Sequence, residues 1–292
     1  MLQNNFKNYL PHLFVLIAGA MWGCTGLFNR HLTSFGMSSQ NIVLVRNLGA
    51  CIFLILFFAV RDRSIFRIRL RHLPIFLGTG LVSLLFFTLC YFRCQQITDL
   101  STAAILLYTA PTFVVILSAV LWREKITKRK LAALIIAFLG CCFASGILSG
   151  GLSVSRYGLL LGIGSGFFYS TYTIFSRYAL VHYPPFTVTL YTFLISGLGS
   201  LALAKPSDFQ IIADNPRAIP WMIGLIVFST VLPYLFYTRG LAGLGDGGKA
   251  SILANVEPVV ASFVGIAAFG EPLTIGVVLG LACILVSVYI LR

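Results

Sequence analysis

The sequence predicts an all-α membrane protein of ten transmembrane helices, built as two inverted five-helix repeats with the N- and C-termini both cytoplasmic. Three observations carry that expectation. Of 292 residues, 58% are hydrophobic and only 10% charged, and the mean hydropathy is +0.94. Soluble domains carry about 25% charged residues, so a globule with 21 basic and 8 acidic side chains has too little charge to cover its surface. The apolar residues fall into runs near the ~20 residues that cross a bilayer, and the chain repeats itself at an offset of 147 residues. Lipid leaves open backbone unsatisfied, which makes such runs helical. A soluble enzyme, a disordered chain, a coiled coil and a secreted disulfide scaffold are excluded.

The runs lie at roughly 11–31, 40–60, 73–93, 100–121, 131–148, 156–178, 186–204, 218–238, 248–269 and 272–291. The longest polar connectors, Arg61–His72 and Lys205–Arg217, are too short for a soluble domain. The first run imitates a signal peptide, with Lys7 ahead of it and Ala18-Gly19-Ala20 in the A-x-A form. Its apolar character continues to Phe28, and it has a counterpart in the second half, so an uncleaved first span is expected.

The 147-residue offset places Asp99 on Asp246, Pro111 on Pro258, Glu124 on Glu271 and Thr127 on Thr274. ILLYTAPTF lies over ILANVEPVV, and the same offset sets Gly19 on Gly166, Phe28 on Phe175 and Arg30 on Arg177. Repeats of this kind define a fold before any residue-level reading, and they divide the chain into 1–148 and 149–292. Five spans is an odd number, so the second copy enters the membrane from the opposite side. With the N-terminus inside, fifteen basic residues fall on cytoplasmic connectors and five on outer ones, Arg46 lying within a span. That bias follows the positive-inside rule.

Inverted repeats of this kind build many secondary transporters, and a pair of interrupted helices at corresponding positions points to their binding site. Pro111 and Pro258 satisfy that description. Each is expected mid-span, where it removes an intrahelical hydrogen bond. Pro233 in the eighth span has Phe86 as its counterpart and lacks that support.

The segments LLYTAPTFVVILSAVLWREKIT and LANVEPVVASFVGIAAFGEPLT, with Met21-Trp22-Gly23 and Arg46 of VLVRN, resemble the drug/metabolite transporter superfamily, EamA type. The resemblance covers the whole chain. It implies two five-helix bundles around a cavity lined mostly by helices 1, 3, 4, 6, 8 and 9. It also implies export of small metabolites, often amino acids. This sequence has Ala110 where its second copy has Glu257, and Lys125 where the second has Pro272.

Glu257 is the deepest acid. A carboxylate at mid-membrane costs about 2.5–3.5 kcal/mol on insertion scales, so it must be protonated, paired or wet. It is read either as a proton-coupling acid or ligand for a cation, or as the partner of Arg46 in a permanent ion pair. Arg46 has two further readings, snorkelling to the outer surface and binding a carboxylate substrate. The expected substrate contacts are Trp22, Thr25, Asn29, Tyr108, Thr109, Tyr169, Tyr172, Tyr234 and Asn255. Tyr108 and Asn255 occupy equivalent positions one turn before each proline, and Trp22 is the counterpart of Tyr169. Such an aromatic wall with few charges suits a small amphipathic ligand or a cation. Tyr91 and Tyr237 sit near span ends and fit interfacial anchoring.

Other motifs have structural readings. Gly158, Gly162 and Gly166 form a small-residue stripe, and Gly276/Gly280 a shorter one, both suited to helix packing. Glu124 and Glu271 are expected at helix N-termini, where the dipole favours a carboxylate. GLGDGGK (Gly243–Lys249) imitates a phosphate loop, but Ala250 stands where the magnesium-binding hydroxyl belongs. It reads as a turn, which leaves no ATP hydrolysis. The seven cysteines lie mostly inside apolar runs with no adjacent His or acid, and no metal or cofactor is expected. The charge of +13 reflects orientation in the bilayer and not nucleic-acid binding. The expectation is therefore a secondary transporter of a small organic molecule, a monomer or homodimer in a bacterial cytoplasmic membrane, with proton coupling one option. The alternatives are a carrier or flippase for a lipid-linked group and, less favoured, an intramembrane enzyme.

Overall fold

A computed structural model describes residues 2–98, 103, 106–144, 155–270 and 274–290. Among these the chain is helical, with no strand. The helices are α1 (Leu2–Gly23), α2 (Thr25–Ser34), α3 (Ser39–Arg61), α4 (Leu73–Leu77), α5 (Phe86–Ile97), α6 (Ala110–Trp122), α7 (Lys128–Ala144) and α8 (Arg156–Leu180). They continue as α9 (Pro185–Leu203), α10 (Pro206–Ala213), α11 (Ile219–Ile226), α12 (Leu232–Leu244), α13 (Gly247–Leu253), α14 (Glu257–Phe269) and α15 (Ile275–Ile290).

Seven helical segments are long and apolar enough to cross a membrane: Tyr9–Ser34, Ser39–Arg61, Leu70–Tyr91, Arg156–Leu180, Pro185–Leu203, Pro216–Leu244 and Gly247–Phe269. Of the ten expected runs, those at 100–121, 131–148 and 272–291 correspond to the shorter α6, α7 and α15. Large apolar side chains face outward all round, Val60 at 92% and Ile275 at 79% exposure, as a lipid-facing surface requires. The protein is an integral, multi-pass membrane protein.

The helices are interrupted in pairs. Gly78–Leu85, between α4 and α5, and Val227–Val231, between α11 and α12, are wound as π-helix, and the 147-residue offset superposes one on the other. Thr230 donates its hydroxyl to the Leu225 carbonyl at 2.8 Å, five residues back, taking up an acceptor that the looser winding exposes. The fourth span turns at Tyr108–Thr109 before α6, and the ninth passes through a 3₁₀ turn, Ala254–Val256, before α14. The two helices that follow, α6 and α14, begin and end at equivalent residues. Both end on a left-handed residue, Arg123 (φ 55°) and Gly270 (φ 65°). Thr127 and Thr274 accept hydrogen bonds from the Lys130 and Val277 amides.

The prolines do not act as the sequence suggested. Pro111 and Pro258 lie in the first turn of α6 and α14, where a missing N–H costs nothing. They begin new helices after real breaks and do not kink continuous ones. Pro233 likewise opens α12 behind its π segment. Its counterpart Phe86 opens α5, so the symmetry that proline failed to show is present in the backbone.

Packing repeats too. α1 lies along α12 and α14, and α8 lies along α5 and α6, the same arrangement moved by one repeat. α3 packs on α9, and α7 on α15, each against its own counterpart. Glycine sets the closest approaches. A Cβ on Gly19 would stand 2.6 Å from the Ala254 carbonyl oxygen, and one on Gly23 would stand 2.6 Å from that of Glu257. The first span, its A-x-A residues included, is therefore seated backbone-to-backbone on the broken ninth. Gly276 meets the Phe143 carbonyl oxygen in the same way.

The Gly158–Gly162–Gly166 stripe receives the fourth span. A Cβ on Gly162 would meet the Leu106 side chain at 2.3 Å, whereas Gly164, two residues on, faces open space. Gly162→Ala is therefore expected to destabilise the protein by about 1–3 kcal/mol through overpacking. Gly164→Ala, which removes a helix-interior glycine, is expected to stabilise it by about 0.5–1 kcal/mol. Thermal unfolding in detergent reads both, and equal midpoints for the two variants would contradict the packing described.

Candidate functional site

The interruptions converge on one cavity at the centre of the bundle. Trp22 of α1, Tyr108 and Pro111 at the fourth-span break, Tyr169 and Tyr172 of α8, Tyr234 and Tyr237 of α12, and Asn255 and Glu257 at the ninth-span break all line it. The first, fourth, sixth, eighth and ninth expected spans contribute. The third does not, among the described residues: Tyr91 packs its ring on Phe87, 5.8 Å between centroids. The cavity volume is about 20 Å³. One water needs roughly 10–15 Å³ on this measure, so the space holds a water or two and no metabolite.

One wall is a rigid aromatic block. Trp22 meets Tyr234 edge-on at 5.2 Å and Tyr237 at 5.4 Å; Tyr172 and Phe193 meet Tyr234 at 5.1 and 5.0 Å. Two hydroxyl pairs tie α8 to α12, Tyr172–Thr238 at 2.9 Å and Thr173–Tyr237 at 2.6 Å. These tyrosines are struts. Tyr237, read from sequence as an interfacial anchor, is only 3% exposed.

The cavity also carries unused polar groups. The Trp22 indole N–H is buried without an acceptor. Among the described residues the Tyr108 and Tyr169 hydroxyls, the Asn255 amide and the Glu257 carboxylate make no protein hydrogen bond. Glu257 stands in the first turn of α14, where the helix dipole favours a carboxylate. An acid, an amide, two phenols and an indole N–H thus share one small space, enough to hold a ligand with both donors and acceptors.

Several expected contacts lie elsewhere. Thr25 bonds the Ser229 hydroxyl at 2.6 Å, fixing α2 to the π segment. Thr109 turns its hydroxyl onto the Leu106 carbonyl at 2.6 Å, sealing the break it sits in. The Asn29 side-chain oxygen is buried without a partner and lies outside the cavity. Pro258 is buried behind Glu257. Arg46 forms no ion pair with Glu257 within 4 Å among the described residues. Its guanidinium donates to the Tyr234 hydroxyl at 3.5 Å and lies 5.9 Å from that ring. Ser170, Thr173 and Ser251 also line the cavity. Their spacing around Tyr169, one to four residues on the same helix, was the available signal for the first two.

Glu124 also departs from expectation. Glu124 does not cap α7; Thr127 does. Glu124 pairs with Arg177 and Lys130 instead. Asp99 and Glu271 lie outside the described residues.

The EamA-like transporter family matches the chain twice, over residues 10–146 and 156–292. The chain belongs to this family. An uncharacterized transporter of Archaeoglobus fulgidus is 32% identical over 253 residues, 85% of this chain and 89% of that one. The uncharacterized inner membrane transporter YicL of Salmonella typhimurium is 26% identical over 291 residues, 96% and 94% of the two chains. A solved structure of 19% identity superposes with a TM-score of 0.72 over 96% of this chain and 95% of the other, which shows the fold. The EamA-family protein is thus a membrane transporter whose central cavity joins both matched regions.

The two kinds of tyrosine make a direct test. Tyr172→Phe removes a buried hydrogen bond and is expected to cost about 1 kcal/mol of stability. Tyr169→Phe removes a hydroxyl with no protein partner, and is expected to leave unfolding unchanged while reducing the stabilisation by a bound ligand. Thermal unfolding of both, with and without ligand, checks the assignment. Equal losses without ligand would contradict it.

Proposed function

We propose that the protein is a secondary transporter of small organic metabolites, directed outward, working by alternating access about the central cavity in the bacterial cytoplasmic membrane. The reading takes ten spans as two inverted repeats, 1–148 and 149–292, with both termini cytoplasmic. One observation carries it: helix breaks paired by the 147-residue offset surround a closed cavity that holds one buried acid, Glu257. Symmetric breaks give each half two arrangements, and exchanging them exposes the site to alternate sides. The distribution of basic connectors supports the orientation.

The cavity favours a neutral or zwitterionic cargo with an apolar or aromatic part. The aromatic block offers stacking area, and Trp22, Tyr108, Tyr169 and Asn255 offer hydrogen bonds. Glu257 either accepts a cationic group of the cargo or carries the coupling proton. No phosphate loop is present to hydrolyse ATP, so an ion gradient or the cargo's own gradient drives movement. The absence of a catalytic constellation at the cavity, among the described residues, disfavours the enzyme reading.

A thermal-shift panel of amino acids, aromatic metabolites, quaternary amines, nucleosides and sugars identifies the cargo class. A ligand at about 100 times its Kd stabilises by about 2.7 kcal/mol. With that cargo in proteoliposomes, Glu257→Gln is expected to retain binding of neutral solutes and lose the response of flux to a pH gradient. Full flux with unchanged pH dependence in the variant would refute the coupling role.

A further inference from the structure

A charge cluster bolts the two halves of the sequence together at one end of the cavity. At the end expected to be cytoplasmic, Lys130 in the first turn of α7 is only 6% exposed. Its ammonium donates to Glu124 Oε2 at 3.1 Å and to both oxygens of Asp246 at 2.9 and 2.8 Å. Glu124 also binds Arg177, whose guanidinium lies 4.3 Å over the Trp122 ring. Glu124 and Lys130 belong to the first repeat; Arg177 and Asp246 belong to the second. Two cations and two carboxylates balance, so the cluster is neutral, and Lys130 is the cation shared between carboxylates of both halves.

The GLGDGGK turn, which imitates a phosphate loop, is shaped to receive this ammonium. Asp246 caps α13 by accepting from the Lys249 amide at 2.8 Å, which points its carboxylate back at Lys130. A Cβ on Gly248 would stand 2.9 Å from Val115 Cγ2 and 3.1 Å from Lys130 Cε and Nζ, so only glycine leaves the lysine its seat. Gly247 lies against Val114 and Thr173, both cavity residues, and Ser251, one turn further along α13, also lines the cavity. The ion cluster is therefore the floor beneath the site. Burial pushes the Asp246 carboxyl up, but the Lys130 ammonium and the Lys249 amide outweigh it and hold the group below the ordinary carboxylate range. It stays charged, and able to hold Lys130, throughout the physiological pH range.

The repeat shows what is specific to this end. The Arg177–Trp122 stack recurs at the opposite end as Arg30 over Phe269, 4.4 Å from the ring centre, at the 147-residue offset. Asp99 and Glu271 are the sequence counterparts of Asp246 and Glu124. Lys130 has Val277 as its counterpart, and Gly247-Gly248 has Leu100-Ser101. By sequence, the bridging ammonium and its glycine seat have no counterpart at the 147-residue offset.

We propose that Lys130 and the Asp246-Gly247-Gly248 turn form a cytoplasmic latch, whose release opens the central cavity to the cytoplasm. The proposal rests on the alternating-access reading with both termini inside. Removing one member of a buried charge cluster leaves its partners uncompensated, so weakening the latch shifts the protein toward the inward-open arrangement.

The test is accessibility of Ser251→Cys in a full-length background with the seven native cysteines replaced. A membrane-impermeant maleimide is added to inside-out vesicles. Asp246→Asn keeps the helix cap and removes the charge; Gly248→Ala keeps every charge and crowds the seat. Each is expected to raise cytoplasmic labelling about tenfold, the population change that about 1.4 kcal/mol produces. If Asp246→Asn does not fold, Gly248→Ala decides alone. Unchanged labelling in a folded variant overturns the latch, and labelling that rises only from the opposite face overturns its cytoplasmic placement. Flux in proteoliposomes is scored separately. Raised labelling without flux of any solute keeps the latch and removes the transport reading, whereas flux in the parent with unchanged labelling in the variants does the reverse.

Discussion

In a bilayer no water reaches the backbone, so every break in a helix must be satisfied by the protein itself. The rest of this structure follows from how it meets that demand. The breaks are not scattered along the spans. They gather at the bundle centre, where Thr109 closes the Leu106 carbonyl, Thr230 closes Leu225 and Thr79 closes Phe76 at 3.1 Å. Gly19 and Gly23 bring α1 down onto the broken ninth span, and Gly162 and Gly166 bring α8 onto the broken fourth. Each interrupted span is thus covered by an uninterrupted stretch of helix from the opposite half of the sequence. The cavity is the space that this covering leaves.

The backbone repeats at these positions at the 147-residue offset, whereas the chemistry does not. α6 and α14 share their limits and their left-handed ends, but Ala110 faces the cavity where its counterpart is Glu257, and Tyr108 where its counterpart is Asn255. Lys130 corresponds to Val277. A duplicated scaffold with symmetric side chains would favour neither face. Three differences within it place an acid, an amide and a phenol around the cavity and a bridging cation beneath it.

The residues that the sequence made legible are those whose signal is carried by the repeat. Trp22 with Tyr169 and Tyr108 with Asn255 pair at a constant offset, and all four meet in one cavity. Glu257 stood out because a carboxylate in an apolar run has few structural excuses. What stayed hidden depends on winding and on side-chain direction, neither of which leaves a compositional trace. The π segments at Gly78–Leu85 and Val227–Val231 look like ordinary helix in the sequence, and Pro233 drew attention to a missing proline partner when the symmetry lay in the backbone. Thr25 and Thr109 are polar groups on lining helices, yet both spend their hydroxyls on holding helices in place. Arg46 and Glu257 are the intramembrane charges that suggested an ion pair, but the Tyr234 ring takes the arginine. Glu124 looked like a helix cap because its true partners, Arg177 and Lys130, are 53 and 6 residues away.

A cavity of about 20 Å³ cannot admit a metabolite, so the proposed alternating access requires that some elements move while others hold. The packing indicates which. α3 on α9 and α7 on α15 are pairs of long helices in which each packs on its own counterpart. Under that proposal, rotating one half against the other changes those contacts least, so the two pairs form the frame. α6, α13 and α14 are short, begin or end at breaks, and lie between the cavity and the two faces. They can tilt at Tyr108–Thr109 and at Ala254–Val256 without breaking a continuous hydrogen-bond ladder, because the ladder is already interrupted there. The aromatic block of Trp22, Tyr172, Tyr234 and Tyr237 is held together by the hydroxyl pairs between α8 and α12. Under that proposal, opening moves the wall that carries Tyr108, Asn255 and Glu257 away from the aromatic face. That is the wall whose polar groups have no protein partner to lose.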